Sequence, residues 1–252
     1  MYDLNDIRGY LETKIIGQTI IQYHDLNSTY AKAKSIFEGC PDGTVVLSES
    51  QSNCDIGNEW NSIPNKNINF SIILNSVNNN SLIPLMDLVG CSSVHKSILE
   101  LYNLESKIKW PKDMLINGRK ISSVESNRGK AGLILSISIN VNTDQVEDSI
   151  TSIKIERGED VEREELIGTI LNNMEYCYEE LLAGTVDAFV NYYNNNLLFA
   201  GKEVGVVKKG RKTVRKVLAK NIDSRGWLVV TNEKGNEEIL NPGDIIIQYE
   251  EA

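Results

Sequence analysis

Apolar and polar residues follow two different spacings along the chain, and these spacings predict both strands and helices. Short apolar or alternating runs, of the kind found in buried strands, occupy residues 16–25, 44–51, 67–74 and 130–142. Apolar residues at helical spacing instead predict one helix over residues 81–104 and another from about Val161. One face of this second helix carries the apolar residues Leu166, Ile170, Leu171, Met174 and Leu181.

Polar residues and glycines mark where several of these elements begin and end. Ser28-Thr29 stands before YAKAKSIF, and Asp160 stands before the second long helix, so both places are predicted N-caps. Gly184 predicts the end of that helix, and residues 185–193 predict a further helix.

The pattern changes near residue 200. From Gly201 onward, short strands are predicted over residues 203–207, 213–222, 226–233, 237–240 and 244–249. The predicted fold class is therefore α+β. A mixed β-sheet with helices would occupy residues 1–198, and a small barrel-like β domain would occupy residues 199–252.

Composition narrows the range of functions. The 252 residues carry 26 Lys+Arg against 35 Asp+Glu, a net charge of −9, which argues against a general affinity for nucleic acid. The four cysteines are widely spaced and form no C-x-x-C pair, which argues against a zinc site or a disulfide framework. We see no secretory signal and no apolar run of membrane-spanning length, so a cytoplasmic protein without membrane contact is expected.

The stretch KWPKDMLINGRKI, residues 109–121, carries the strongest candidate chemistry. Asn117-Gly118 predicts a tight hairpin turn, because such a turn requires positive φ at both central residues. The resulting register brings Asp113 opposite Ser122 and sets Lys120 on the other arm of the hairpin. The residues alone leave two interpretations open: a surface ion pair of small energetic value, or a catalytic pair.

The order of several motifs then resembles one family. Ser28-Thr29 opens a helix, and Gln51 ends a strand ahead of a loop that contains Trp60. KWPKD leads into the hairpin with GRKISS, followed by SINVN and, near the C-terminus, by IDSRGWLVV. In this order the chain resembles the biotin protein ligases over essentially its whole length. The resemblance implies a biotin/lipoate ligase-like catalytic domain and an SH3-like C-terminal β-barrel.

The resemblance also implies an ATP-dependent reaction in two steps. The carboxylate of biotin attacks the α-phosphorus of ATP, giving biotinyl-5′-AMP and pyrophosphate with the assistance of Mg²⁺. A lysine of a biotin carboxyl carrier domain then displaces AMP. In these steps Lys120 would offset the repulsion between the carboxylate and the α-phosphate. Asp113 would align and deprotonate the acceptor lysine.

The remaining site residues are assigned by position within the resemblance. The expected biotin-binding residues are Ser28, Thr29, Gln51, Trp60 and Ser123. The expected adenylate-binding residues are Asn140, Gly57 and Lys109. No metal ligand of the protein itself is assigned.

Three departures from the family pattern lie on ligand-contacting segments. The Gly/Arg-rich loop corresponds here to CDIGNEW, residues 54–60, which contains no arginine and gains Asp55 and Glu59. Arginines and backbone N–H groups hold phosphate in such loops, whereas carboxylates repel it. The expected Ala-Gly after Lys120 is Ser122-Ser123, and the Gly expected before INVN is Ser138.

Three functions remain to be weighed. An active monofunctional biotin protein ligase is favoured, because Lys120, Asp113, Gln51 and Ser28-Thr29 all survive. The alternative is a catalytically impaired or repurposed paralogue that binds a small acid, a nucleotide or a carrier protein. A lipoate-type ligase is disfavoured by KWPxD and the β-rich tail.

Only about fifteen residues precede the first predicted strand, so no DNA-binding winged helix is expected, and a homodimer is left open.

Overall fold

The computed structural model describes residues 1–52, 63–144 and 147–249. The helices are α1 Leu4–Tyr10, α2 Thr29–Ile36, α3 Ile83–Tyr102, α4 Ile153–Arg157, α5 Arg163–Ala183 and α6 Asp187–Asn195. The first seven strands are β1 Ile20–Leu26, β2 Thr44–Gln51, β3 Asn67–Leu74, β4 Lys107–Lys109, β5 Asp113–Ile116, β6 Arg119–Arg128 and β7 Leu133–Asn140. The last five are β8 Glu203–Lys208, β9 Val214–Ile222, β10 Leu228–Thr231, β11 Glu237–Leu240 and β12 Ile245–Gln248.

The first seven strands form one sheet in the order β1-β2-β3-β7-β6-β5-β4. The β1–β2 pair is parallel, and the other five pairs are antiparallel. The predicted α+β class with a mixed sheet is confirmed.

One face of this sheet is apolar and carries the main core. The alternation in NINFSIIL and LILSISIN places Ile68, Phe70 and Ile72 of β3 in that core, together with the isoleucines of β7. Helix α3 packs on this face. A Cβ at Gly90 would lie 2.5 Å from Val124 Cγ1, so the glycine allows close approach of α3 to β6.

Helix α3 with its leading turn, Asn80–Tyr102, is long and apolar enough to cross a membrane by length and composition, with a mean hydropathy of 1.2. Within the protein, 72% of that window is buried. A core helix of a soluble protein passes the same test, so this one helix is weak evidence for membrane insertion.

The opposite face of the sheet is only partly covered by helix. Helix α2 packs there over a small apolar cluster that contains Ala33, Phe37, Val46, Ile73 and Ile134. Beyond the N-terminus of α2 the same face becomes polar, and this polar area contains the candidate site.

The C-terminal strands form a five-stranded antiparallel sheet in the order β11-β10-β9-β8-β12. Within the described residues β11 and β12 are edge strands that do not pair with each other, so the sheet is open and the predicted barrel is not confirmed. Val204, Val217 and Leu228 of this sheet belong to the same apolar cluster as α3. The division at residues 198 and 199 stays a prediction.

Two helices and one cap differ from the sequence expectation. Helices α1 and α4 were not predicted, since both are shorter than the windows in which helical periodicity becomes readable. Asp160 does not cap α5, which begins at Arg163 after Glu162 with no side-chain cap. The Asp160 carboxylate instead forms an ion pair with Lys154, with Oδ1 2.9 Å from Nζ.

A buried ionic cluster fixes the end of β2 against α5. Arg163 Nη1 donates to Glu49 Oε2 at 2.9 Å and to the carbonyl of Asn67 at 3.1 Å. The Tyr2 ring lies 4.1 Å from the guanidinium, and its hydroxyl donates to the same carbonyl at 2.9 Å. Glu49 is 1% exposed, so it depends on these partners.

Arg163→Leu should therefore destabilise the fold by about 3–5 kcal/mol, because it leaves a buried carboxylate without its main partner. Arg215→Leu is the matched control, since Arg215 forms a partly exposed pair with Glu238. This substitution should lower the free energy of unfolding by less than about 1 kcal/mol. Urea unfolding measures both. Equal effects of the two substitutions would contradict the assigned role of the cluster.

Candidate functional site

A row of polar side chains crosses the whole seven-stranded sheet on its partly covered face. Residues paired across neighbouring strands share a face, and the pairings connect one position on each strand. From β1 to β4 the row is Tyr23, Ser48, Asn69, Ser138, Ser123, Asp113 and Lys109. Ser48, Asn69, Ser138 and Ser123 are at most 1% exposed.

Buried polar groups need hydrogen-bond partners, and this row supplies several of them internally. Ser138 Oγ donates to Asn69 Oδ1 at 2.9 Å. Two residues farther along each strand, the hydroxyls of Ser71 and Ser136 lie 2.8 Å apart. These groups make a continuous polar floor, which we define as Asn69, Ser71, Ser123, Ser136 and Ser138.

Lys120 and Asp113 meet at the β5–β6 end of the floor. Lys120 Nζ lies 2.9 Å from Asp113 Oδ1, and Ser123 Oγ donates to the same oxygen at 2.8 Å. The two side chains are 25% and 29% exposed, so the pair is accessible from solvent while its base is buried. The predicted convergence of a lysine and a carboxylate is present in the structure.

The hairpin register differs from the prediction by one residue. Asn117 and Gly118 have the expected positive φ values of 51° and 73°, but a β-bulge then adds one residue to β6. Asp113 consequently pairs with Ser123, and the prediction that it lies opposite Ser122 is wrong. Ser122 faces the other side of the sheet, where its hydroxyl donates to the carbonyl of Ser138 at 2.9 Å.

The backbone of Lys120 is held from outside the hairpin. Its N–H donates to the carbonyl of Ser149 and its carbonyl accepts from the N–H of Thr151, both at 2.9 Å. Helix α4 follows this segment, and its Glu156 accepts from Arg119 Nη2 at 2.7 Å. The segment that leads into α4 therefore fixes the strand position from which Lys120 reaches Asp113.

The other end of the site is the N-terminus of α2. Ser28 is the N-cap, as predicted, with its hydroxyl accepting from the N–H of Ala31 at 3.1 Å. The N–H of Thr29 donates to Gln51 Oε1 at 2.7 Å, and Thr29 Oγ1 accepts from Ser71 at 2.8 Å. Gln51 is 8% exposed, so this side chain is buried at the end of β2.

Asn140 lies on the same face beyond the floor. Its Oδ1 accepts from Asn67 Nδ2 at 2.6 Å, and its Nδ2 donates to the carbonyl of Thr151 at 3.1 Å. Both ends of its amide therefore bind the protein in this state. Lys109 lines the cavity that also contains Asp113. Trp60 and Gly57 lie outside the described residues.

That cavity has a volume of about 920 Å³ and lies between the β4–β6 edge of the first sheet and the C-terminal sheet. Trp110 and Trp227 line it, and Trp110 Nε1 donates to the carbonyl of Gly226 across it at 3.1 Å. Asp113 is thus reachable from this cavity, and on the side of the polar floor the Ser123 hydroxyl contacts it.

The described residues do not make a magnesium site on their own. No group of three or more His, Cys, Asp or Glu that could hold a metal occurs in residues 1–52, 63–144 and 147–249. Mg²⁺ is usually held by one or two carboxylates together with water and substrate phosphates.

The biotin/lipoate A/B protein ligase family model matches residues 21–144. That range contains every member of the polar row together with Lys120. Residues 21–144 carry a domain of this family. The family resemblance inferred from the motifs is confirmed.

Individual relatives in the family cover most of the chain. The bifunctional ligase/repressor BirA of Bacillus subtilis is 28% identical over 253 residues, which span 94% of this chain and 77% of that protein. Biotin–protein ligase 2 of Arabidopsis thaliana is 22% identical, over 96% of this chain and 78% of that protein.

A solved structure of the family supports the fold. The biotin protein ligase from Aquifex aeolicus in complex with biotin and ATP superposes with a TM-score of 0.80, over 92% of this chain and 100% of that one. At 22% identity this likeness shows the fold alone. The assignment of individual site residues therefore rests on the geometry described above.

Sequence reasoning missed part of the polar floor. Asn69 and Ser136 were not selected as site residues, although each lies in a strand where polar and apolar residues alternate. The signal was available in NINFS and SISIN: alternation puts every polar member on one face. What alternation does not show is that this polar face is buried.

Asp87 of α3 is a buried carboxylate at the edge of the site. Its Oδ1 accepts from the N–H of Ser126 at 2.6 Å, just beyond the last β5–β6 pair, and Lys112 and Glu125 are its charged neighbours. Burial raises the pKa of Asp87 from 3.8 to about 7. The folded protein therefore keeps this proton to a higher pH than the unfolded chain does.

Asp87→Asn should remove a pH dependence of stability. The native state binds more protons at this group than the unfolded state between about pH 4 and 7, so the wild type loses stability as pH rises through that window. The slope is about 1.4 kcal/mol per pH unit at its steepest. In urea unfolding from pH 5 to 8, the free energy of unfolding of the variant should rise relative to that of the wild type. Parallel curves would refute this account of Asp87.

Proposed function

We propose that this protein is an ATP-dependent ligase of the biotin protein ligase type. It would convert a carboxylic acid to an acyl-adenylate, biotinyl-5′-AMP when the acid is biotin, and pass the acyl group to a lysine of a carrier domain. The observation that carries the proposal is the Lys120–Asp113 pair, at 2.9 Å, at one end of a buried polar floor. The family membership of residues 21–144 supports it.

In the first step a carboxylate oxygen of the acid attacks the α-phosphorus of ATP, and pyrophosphate leaves. Two anionic groups must approach each other, and negative charge accumulates around the phosphorus. Lys120 is a cation whose backbone is held at Ser149 and Thr151, so it is positioned before the reaction begins. Such a preorganised charge stabilises the transition state without reorganising water.

In the second step the amine of an acceptor lysine attacks the acyl carbon, and AMP leaves. An unperturbed lysine has a pKa near 10.4, so it must lose a proton before it can attack. Asp113 is a suitable acceptor because it faces both the floor and the cavity of about 920 Å³. When Lys120 turns toward phosphate, the Ser123 hydroxyl still holds Asp113.

The opposite end of the floor would bind the body of the acid. The Thr29 hydroxyl and the Gln51 amide lie there, joined through the Thr29 N–H and through Ser71. Their mutual bonds set their orientation in advance, which reduces the entropy lost on binding. The acid would then lie along the floor with its carboxylate at Lys120.

The second candidate is a paralogue that binds a small acid, a nucleotide or a carrier protein without ligation. It is favoured by the number of site groups already bonded to the protein, such as the Asn140 amide. Asp55 and Glu59 in place of loop arginines also favour it, because carboxylates repel phosphate.

The remaining assignments of partners, surroundings and ligand contacts are also proposals. The acceptor would be a biotin carboxyl carrier domain, the surroundings cytoplasmic, and Mg²⁺ would accompany ATP. Trp60 and Ser123 would contact biotin, and Gly57, Asn140 and Lys109 the adenylate. The absence of a general affinity for nucleic acid is proposed from the net charge of −9. An SH3-like C-terminal domain is proposed from the resemblance alone, and a homodimer stays open.

Biotin-dependent exchange of pyrophosphate into ATP tests the first step. The wild type should catalyse it, and Lys120→Ala should lower the rate at least about 100-fold, the usual effect of removing one preorganised donor. Lys112→Ala is the matched control, since Lys112 pairs with Glu125 at 2.7 Å. An unchanged rate in Lys120→Ala would remove Lys120 from the mechanism. No exchange by the wild type with any acid would favour the second candidate.

Asp113→Asn tests the second step separately. With preformed biotinyl-5′-AMP and a carrier domain, its transfer rate should fall about 100-fold or more, because the amide cannot take the proton. Its pyrophosphate exchange should fall much less. A similar loss in both steps would show that Asp113 only maintains the position of Lys120.

A further inference from the structure

A second cavity lies among the helices, away from the candidate site. Helices α5 and α6 both pack against α3, and the three border a space of about 200 Å³. Its described lining residues fall within 92–96, 173–180 and 188–192. Helix α3 covers the apolar face of the first sheet, so this cavity and the polar floor lie on opposite sides of that sheet. The function proposed above leaves the cavity without a role.

The hydroxyl of Ser92 belongs to the wall of this cavity and is unpartnered. Ser92 is 3% exposed, and its Oγ forms no hydrogen bond to any residue that the structure describes. Two other serines of α3 donate to the carbonyl four residues earlier, Ser93 to Val89 at 2.7 Å and Ser97 to Ser93 at 2.8 Å. This local bond is the usual way to satisfy a serine inside a helix. Ser92 does not form it, so its hydroxyl is available to a ligand.

Glu180 contributes a second unpartnered atom among the residues that line the cavity. Its Oε2 is buried and accepts no hydrogen bond within the described segments. Lys96 also lines the cavity, but its Nζ lies 3.7 Å from Glu100 Oε1 and forms an ion pair there. The charge of Glu180 raises the pKa of the Tyr176 hydroxyl in the same wall. A buried carboxylate oxygen without a partner is costly, and a cationic donor is the group that satisfies it best.

The rest of the wall suits a short apolar body. Phe189 is 2% exposed, and the Tyr192 hydroxyl lies in a hydrogen bond of 2.8 Å with His95 Nδ1, which fixes the Tyr192 ring. Aromatic rings pack against apolar carbon and also attract ammonium groups to their faces. Burial raises the pKa of the Cys177 thiol to about 11, so this lining residue stays neutral and adds soft apolar surface.

We propose that this cavity binds a small primary amine in its protonated form. The ammonium group donates to Glu180 Oε2 and to Ser92 Oγ. The body of the amine lies against Phe189 and Tyr192. The volume of about 200 Å³ equals that of roughly seven water molecules at about 30 Å³ each, which limits the body to a short chain or a single ring. This ligand site is separate from activation at Lys120 and does not depend on the proposed ligase function.

Phenethylamine, phenethyl alcohol and phenylacetate form a matched set of probes, since they share one ring and differ in the polar group. In NMR titrations of the isotopically labelled full chain, the amine should shift the backbone amide signals of Cys177 and Phe189 saturably. Its dissociation constant should be at least about tenfold lower than that of the alcohol, because a hydrogen bond to a charged group is the stronger one. Phenylacetate should bind more weakly than the alcohol, because Glu180 repels it.

Glu180→Gln removes the charge at nearly constant shape and should abolish the preference for the amine over the alcohol. Glu179→Gln is the matched control, because Glu179 is exposed and is not among the described residues that line the cavity. Both substitutions remove one charge from the last turns of α5, so effects of the helix dipole cancel in the comparison. Glu179→Gln should keep the wild-type preference. Ser92→Ala should raise the dissociation constant of the amine about fivefold, the ordinary net value of one hydrogen bond.

Urea unfolding without ligand separates a binding role of Glu180 from a structural one. Because Oε2 of Glu180 bonds to none of the described residues, Glu180→Gln should keep or raise the urea midpoint relative to Glu179→Gln. A lower midpoint would overturn the proposal. So would phenylacetate binding as tightly as the amine, no saturable shift at Cys177 and Phe189, or an unchanged amine constant in Ser92→Ala. Equal loss of the preference in both glutamine variants would likewise reject it.

Discussion

Burial of a polar face in the middle of a sheet is the constraint on which this structure depends. Every hydroxyl and amide on the central strands must find a partner, since an unpaired polar group out of water is more costly than the typical hydrogen bond is stabilising. The solution is a network that crosses strands: Ser138 binds Asn69, Ser71 lies between Thr29 and Ser136, and Ser123 binds Asp113. The same bonds place the N-terminus of α2 and orient the carboxylate of Asp113 in its pair with Lys120.

The apolar packing of the opposite face offsets the energetic cost of burying these polar groups. It is apolar from β2 to β6, and it packs against α3, which Gly90 allows to approach Val124 closely. The Arg163–Glu49–Tyr2 cluster then holds the end of β2 on this side, two residues from Gln51. Because Gln51 accepts the N–H of Thr29, the cluster is connected to the candidate site through a single short segment of strand. Stability and site geometry are thus coupled at β2.

Local signals in the sequence predicted every strand except β4, the long helices and the hairpin, because each depends on neighbours within a few residues. The site was predicted less completely. A bulge in β6 is not visible in RKISSVES, yet it decides that Ser123 and not Ser122 meets Asp113. The hydrogen bond from the Thr29 N–H to the Gln51 side chain joins residues 22 positions apart. The isolated β-bridge between Lys120 and Ile150 joins residues from separate segments. Such contacts follow from tertiary packing, which no residue pattern encodes locally. The predicted barrel depended likewise on closure between strands β11 and β12, which the described sheet does not show.

The pairing of Lys120 with Asp113 gives the site a consistent resting state. Each charge neutralises the other, so neither is left half-buried without a partner when no ligand is bound. Binding of phosphate and carboxylate would draw the lysine away, and Asp113 would then keep the Ser123 hydroxyl as its remaining partner. A glycine at position 123 could not supply that bond. The serine that departs from the family pattern therefore supplies a hydrogen bond to the pair as well as polarity to the floor, so at this position the departure adds a contact to the site and removes none.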